Sequence, residues 1–186
     1  MSAGLSLREL WSFVVMHHGA LKGFARRNSG GWTKDVRRTA WTGLAVLASM
    51  IRRLIHLMAK DIVLAPVYPA EDGTPLPPLP GQSRPRLSFR LTESPREHYR
   101  RHQNPDYVPD TPEFDHARFL ERLFICAAAY RARERLARRL ARRVQTGRAP
   151  LRALPLPARL YRRTAAGFTN MLDHLDARLA APPDTS

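Results

Sequence analysis

From residue 44 to residue 62 the apolar side chains Leu44, Leu47, Ile51, Leu54, Ile55, Met58 and Ile62 recur at intervals of three and four. That spacing projects all of them to one side of a helix. Thr33 is the natural N-cap and Pro66 the stop, so the helix is predicted over about 34–63. At ~1.5 Å per residue it would be about 45 Å long. Arg38, Thr42, Ser49, Arg52, Arg53, His56 and Lys60 fall on the opposite side and are read as its polar face. An apolar face of that length can be buried only by other helices laid along it.

The rest of the chain supplies them. "LSLREL" holds a capping box, with Ser6 as N-cap and Glu9 three residues on, and Leu5 and Leu10 placed as a hydrophobic staple. Leu7, Leu10, Val14 and Leu21 share the apolar face of this first helix, with Trp11 and His18 at its edge. "NSGGWTKD" separates it from the second. A third helix is predicted from Thr111-Pro112 to about Thr146, ending at Gly147. Its first half, with Phe114, Phe119, Leu120, Leu123, Phe124, Ile125 and Cys126, is apolar almost all round and is expected to be deeply buried, at the centre of the fold. Its second half keeps Leu136, Leu140 and Val144 on one face. A fourth helix over about 157–181 aligns Leu160, Tyr161, Phe168, Met171, Leu172, Leu175 and Leu179.

Between the second and third helices the chain changes character. Seven prolines lie between Pro66 and Pro85, too many for a helix or a central strand. "PLPPLP" fits polyproline II and also the PxxP pattern of a peptide ligand. "RLSFRLTE" alternates Leu87, Phe89 and Leu91 with polar residues; with no sheet to join, it is expected to dock as an extended segment. The fold expected is therefore all-α: a four-helix bundle-like domain with a long proline-rich extended arm between helices 2 and 3. In this reading 1–64 is one helical hairpin, 65–111 the arm, and 112–186 a second hairpin packed on the first as one domain.

Charge supplies the functional clue. The 186 residues carry a formal net charge of +15. It is concentrated at +7 over 1–64 (10 basic, 3 acidic) and +8 over 112–186 (15 basic, 7 acidic), with the arm neutral. Such an excess favours polyanionic partners. Only Lys22, Lys34 and Lys60 are lysines and the other 28 basic residues are arginine. That bias, with abundant Ala, Pro and Leu, is partly compositional.

The densest run is "RARERLARRLARRVQTGR" at 131–148, with eight arginines and one acid, Glu134. On a helix Arg131, Arg135, Arg138 and Arg142 form a row, flanked by Arg139 and Arg143, with Arg148 beyond its end. Like charges four residues apart repel by roughly 0.2–0.5 kcal/mol per pair. A row of this kind over about 18 Å suits a line of phosphates. Arg52, Arg53, Arg162 and Arg163 are candidate helpers. No aromatic residue interrupts the row, so base stacking is not indicated, and contact would be to backbone and weakly sequence-specific.

Chemistry of other kinds has less support. No GxSxG elbow, Walker loop, GxGxxG fingerprint or HExxH helix occurs, so a binding protein rather than an enzyme is expected, with no cofactor. His98 and His102, four apart, with Asp106 and His116, are the nearest approach to a metal set. Arg100 and Arg101 between them oppose a divalent cation, and Pro105 breaks the helix, so solvated histidines are the expected reading. Cys126 is the only cysteine and reads as a small buried hydrophobe. The start lacks a secretory pattern and the apolar runs "TGLAVLASMI" and "LFICAAAY" are shorter than a span, so a cytoplasmic protein is expected. The candidate partners are nucleic acid or another polyanion at 131–148, a protein at the proline-rich arm, and, with less support, an anionic membrane surface met by helices 7–18 and 34–63 with Trp11, Trp32 and Trp41.

Overall fold

The structure is a computed structural model that describes residues 5–64, 89, 116–145 and 165–181. Its regular structure is entirely helical: α1 (Leu7–Arg27), α2 (Lys34–Lys60), α3 (His116–Arg131), α4 (Arg133–Gln145) and α5 (Ala166–Ala180). No strand occurs among the described residues. The chain is all-α.

The two N-terminal caps form as the sequence predicts. The Ser6 hydroxyl accepts from the Glu9 N–H at 3.3 Å, and the Glu9 carboxylate accepts from the Ser6 N–H at 2.7 Å. Those bonds from Ser6 hold the Glu9 carboxyl below its ordinary pKa. Thr33 Oγ1 accepts from the Val36 N–H at 3.3 Å and starts α2. Each cap satisfies a donor that a helix start leaves open, typically for about 1 kcal/mol.

α2, not the third predicted helix, is the centre of the fold. It packs against each of α1, α3, α4 and α5. Between Val46 and Leu57 only Ala48 and Arg52 escape full burial, both half-exposed. Its expected polar face is therefore largely inside: Ser49, Arg53 and His56 are buried. α2 is also long and apolar enough to cross a bilayer by length and composition, which the short apolar runs do not suggest. However, 67% of that window lies buried within the fold, as in the core helix of a bundle.

α1 crosses α2 at close range through Gly43. A Cβ on that residue would lie 2.6 Å from Leu21 Cδ2, so any larger residue there requires the Leu21 side chain to shift. The His17 ring closes the same crossing, with Nε2 3.0 Å from the Gly43 carbonyl and its centroid 4.7 Å from that of the tilted Phe168 ring of α5.

α3 is buried on one side only. Phe119, Leu123, Cys126 and Ala129 face inward, whereas Leu120 is 42% and Phe124 63% exposed. The expected all-round burial fails because α3 covers one flank of α1 and α2 and nothing described covers α3. The single helix expected to run to 146 is also divided. Ala132 is a turn residue, bonded back to Ala128 O at 3.0 Å and forward from Leu136 N–H at 2.9 Å. Across this turn the Arg133 guanidinium donates to the Tyr130 carbonyl at 3.3 Å.

Beyond the break, α4 turns Ala137, Leu140 and Ala141 to the core, with Leu136 half-buried. Val144, expected on that face, is 49% exposed. α5 buries Leu172 and Leu175 completely; the residues expected to precede it, 157–164, lie outside those described. Of the proline-rich arm only Phe89 is described. It is half-buried against the core, and the Arg52 guanidinium lies 5.1 Å above its ring.

Candidate functional site

The arginine run folds as two helices, and its residues part into outward and inward members. Arg131 closes α3; Arg135, Arg138, Arg139, Arg142 and Arg143 lie on α4; all six are exposed. Their burial alternates with that of Ala137, Leu140 and Ala141 at helical spacing, so the arginines occupy the face turned from the core. Glu134, the one acid in the run, is exposed with them. Arg148 lies outside the described residues.

Arg133 is the exception. It is half-buried, and its guanidinium stands 4.8 Å from the Tyr130 ring centroid and 5.7 Å from that of Trp11. The two rings are 5.4 Å apart. This cation therefore joins α4 to α3 and α1 by stacking on aromatic faces, worth about 0.5–1 kcal/mol at a partly exposed site. The Trp11 Nε1–H is buried with no hydrogen-bond partner among the described residues.

The expected helpers are placed differently. Arg53 is a core residue: its Nε and Nη2 donate to the two Asp176 carboxylate oxygens at 2.7 and 2.8 Å, and Nη1 donates to Ser49 Oγ. It cannot meet a phosphate without leaving that pair. Arg52 is engaged with Phe89. Arg162 and Arg163 lie outside the described residues.

The polar stripe that forms this seam is visible in the sequence as a period. Ser49, Arg53, His56 and Lys60 recur at four, three and four, the spacing of a helix face. The period names no partner for the stripe, and α5 provides it. Besides Asp176, the Lys60 ammonium donates to the Arg178 carbonyl at 3.2 Å and to the Ala181 carbonyl. It neutralises the negative end of α5. Arg178 in turn donates to the Leu5 carbonyl at 3.0 Å.

α1 packs on α3, with the Trp11 and Tyr130 ring centroids 5.4 Å apart. His18 is half-buried there, and burial holds its pKa below the ordinary value, with Lys22 and Arg131 lowering it further. Lys22 and Arg131 are both exposed.

Among the described residues, no group of three His, Cys, Asp or Glu side chains is placed to hold a metal ion. Cys126 is buried, and burial pushes its thiol up to about 11, well away from the reactive thiolate range. His116 lies against Trp32, ring centroids 5.5 Å apart; His98, His102 and Asp106 are outside the described residues. Of the three tryptophans, Trp11 is buried while Trp32 and Trp41 are half-buried, Trp32 against Phe119 at 5.4 Å and Trp41 beneath Arg122 at 5.3 Å. Compared with known proteins, the chain matches no family model, no curated protein and no solved structure.

Proposed function

We propose that the protein binds nucleic acid through the phosphate backbone, with little sequence preference, using Arg131, Arg135, Arg138, Arg139, Arg142, Arg143 and Arg148. The supporting observation is the segregation on α4: the described arginines of this set are exposed while the face behind them is spent on Ala137, Leu140 and Ala141. So many like charges on one side repel one another, and a phosphate row would neutralise them. In the fuller picture that goes with this reading, the helices form one four-helix-bundle-like domain. The proline-rich arm lies over it, anchored at Phe89, and the protein acts in the cytoplasm as a binding protein rather than an enzyme.

The test is a salt titration on random-sequence duplex DNA and, in parallel, on anionic vesicles. Replacing Arg135, Arg138, Arg139 and Arg142 with Gln should flatten the log–log salt slope on DNA by up to about 0.9 for each phosphate no longer neutralised. An unchanged slope would defeat the proposal. Vesicle binding that survives this change would point instead to a membrane surface.

One observation favours a second reading. Leu120 and Phe124 leave an apolar strip on the outer side of α3, and such strips are commonly covered by another protein. In that reading the arginines serve solubility and the proline-rich arm adds a further contact. Phe124→Ser would then abolish association while the arginine changes left it intact.

A further inference from the structure

We propose that the connection between α1 and α2 carries a second phosphate-binding surface, formed by Arg26, Arg27, Lys34, Arg37 and Arg38 and separate from the α4 row. The inference rests on the reading of the protein as a phosphate-backbone binder, but on none of the residues of α4. Residues 26–38 hold these five cations against one acid, Asp35. All five cations are exposed.

The two helix ends are held together by packing and by the connection itself. α1 and α2 meet where Leu21 faces Gly43 and the His17 ring reaches the Gly43 carbonyl at 3.0 Å. Counted from Leu21 and Gly43, Arg27 and Arg37 each lie six residues on toward the connection. The Asn28 N–H and side-chain amide donate to the Phe24 carbonyl at 3.2 and 2.9 Å. Ser29 Oγ donates to the Arg26 carbonyl at 3.1 Å, and the Gly31 N–H to the Asn28 carbonyl at 3.3 Å. From the α2 side, Arg37 Nε donates to the Trp32 carbonyl at 2.9 Å, which lays that guanidinium back over the connection. Arg38 stands 3.0 Å from Asp35 in a largely exposed pair, which water already screens.

The fold does not account for all of these charges. Arg26 and Arg27 suit the last turn of α1, where a helix ends negative. Lys34 and Arg37 lie in the first turn of α2, where a helix ends positive, so both oppose the helix they stand on. Asp35 has the stabilising sign there, and Arg38 is paired with it. A row of phosphates supplies the missing negative charge to cations from both helices at once. The surface is also distinct from α4. Arg133, at the start of α4, lies 5.7 Å from the Trp11 ring, and Trp11 precedes Arg27 by sixteen residues on one helix, about 24 Å by its rise. At the other end of α4 the Gln145 amide donates to the Leu64 carbonyl at 3.5 Å, past the far end of α2. The two surfaces share no residue, so changes in one should leave the other intact.

The chain has three lysines, Lys22, Lys34 and Lys60. Lys34 lies on this surface, while Lys60 is held by carbonyls at the end of α5. An amine-acylating reagent read by mass spectrometry therefore reports on the connection in the native protein. The probe is a random-sequence DNA duplex of about 20 base pairs, at ~3.4 Å each. Lys34 should lose most of its reactivity when the duplex is bound, and Lys60 should lose none. A second measurement starts from the protein with Arg135, Arg138, Arg139 and Arg142 already replaced by Gln. Adding Arg26→Gln, Arg27→Gln, Lys34→Gln and Arg37→Gln should flatten the remaining salt slope on DNA by up to about 0.9 for each phosphate no longer neutralised. A Lys34 that stays reactive on DNA, or a slope unchanged in the folded variant, overturns the inference and leaves the α4 reading in place. Protection of Lys34 on DNA, with a slope that the α4 changes do not alter, supports the inference and removes the α4 reading. Protection by anionic vesicles but not by DNA overturns it in favour of a membrane surface. Absence of DNA binding overturns both.

Discussion

Arg53 and Arg138 stand on neighbouring helices of one molecule and do opposite things. Arg53 is buried, with three of its nitrogens committed to Asp176 and Ser49. Arg138 is exposed, in a row of its own kind. The buried one is explained wholly by the fold: it fixes α5 to α2 by a fork-to-carboxylate geometry that a lysine would not reproduce. The exposed row points away from the core. Arginine count is therefore a poor guide to function in an arginine-rich chain. Which arginines the fold has already used is the better one.

The inner pair offers the most direct test of this contrast. Removing one partner of a fully buried ion pair costs roughly 3–5 kcal/mol. The Arg53 side chain is 6% exposed but that of Asp176 is 51% exposed, so solvent moderates the loss and Asp176→Asn should destabilise by about 2–3 kcal/mol. Arg53→Met should be milder than Asp176→Asn, because an abandoned Asp176 can turn to water while an abandoned Arg53 cannot. Chemical denaturation of the two variants checks the order; the reverse order would mean the pair is not held as described.

Arg133 is the intermediate case and should give an intermediate number. Arg133→Gln gives up the stacking on Tyr130 and Trp11 and should lower stability by about 1 kcal/mol. A change near zero would place it with the outer row. The outer row itself should be almost silent: the fourfold Arg135, Arg138, Arg139 and Arg142 to Gln change should move stability by no more than about 0.5 kcal/mol, toward greater stability as like-charge pairs disappear. Strong destabilisation would show that those arginines do hold the fold, and the distinction would collapse.

The smallest effect concerns a cation that exists only conditionally. Burial depresses the pKa of His17, against the hydrogen bond to the Gly43 carbonyl that raises it. The folded value lies below the ordinary 6.5, so the unfolded chain binds the proton more readily. This contribution to stability is full above about pH 6.5 and is lost as pH falls toward the folded value. The melting temperature should therefore decline on acidification, and less steeply in His17→Gln.

How far the sequence reveals all this depends on which physical signal is local. Capping boxes and apolar spacing are local, so Ser6–Glu9, Thr33 and the stripe of α2 are legible at once. The row on α4 is legible for the same reason, since exposure follows from the alternation of arginine with Ala137 and Leu140. How many sides of a helix will be covered is not a local property. α2 reads as one-sided because Ser49, Arg53 and His56 are polar, yet all three are buried and Arg53 meets Asp176 of α5. α3 reads as apolar all round, yet Leu120 and Phe124 face outward. Burial of a polar stripe depends on a partner more than a hundred residues away, as Asp176 is from Arg53. The turn at Ala132 is not legible either, since no glycine or proline announces it.

The bond from Arg178 to the Leu5 carbonyl ties the entry of α1 to the exit of α5. The described chain thus closes on itself, and its order of helices is one of several that the same packing could serve. A permuted version could join residue 181 to residue 5 through a short linker and open between Gly30 and Gly31. Both glycines are exposed and have nothing within 4 Å of a would-be Cβ. In such a chain α2 would come first and α1 last, and α1 would still find Gly43 waiting for Leu21. The packing around α2 would then be indifferent to where synthesis begins.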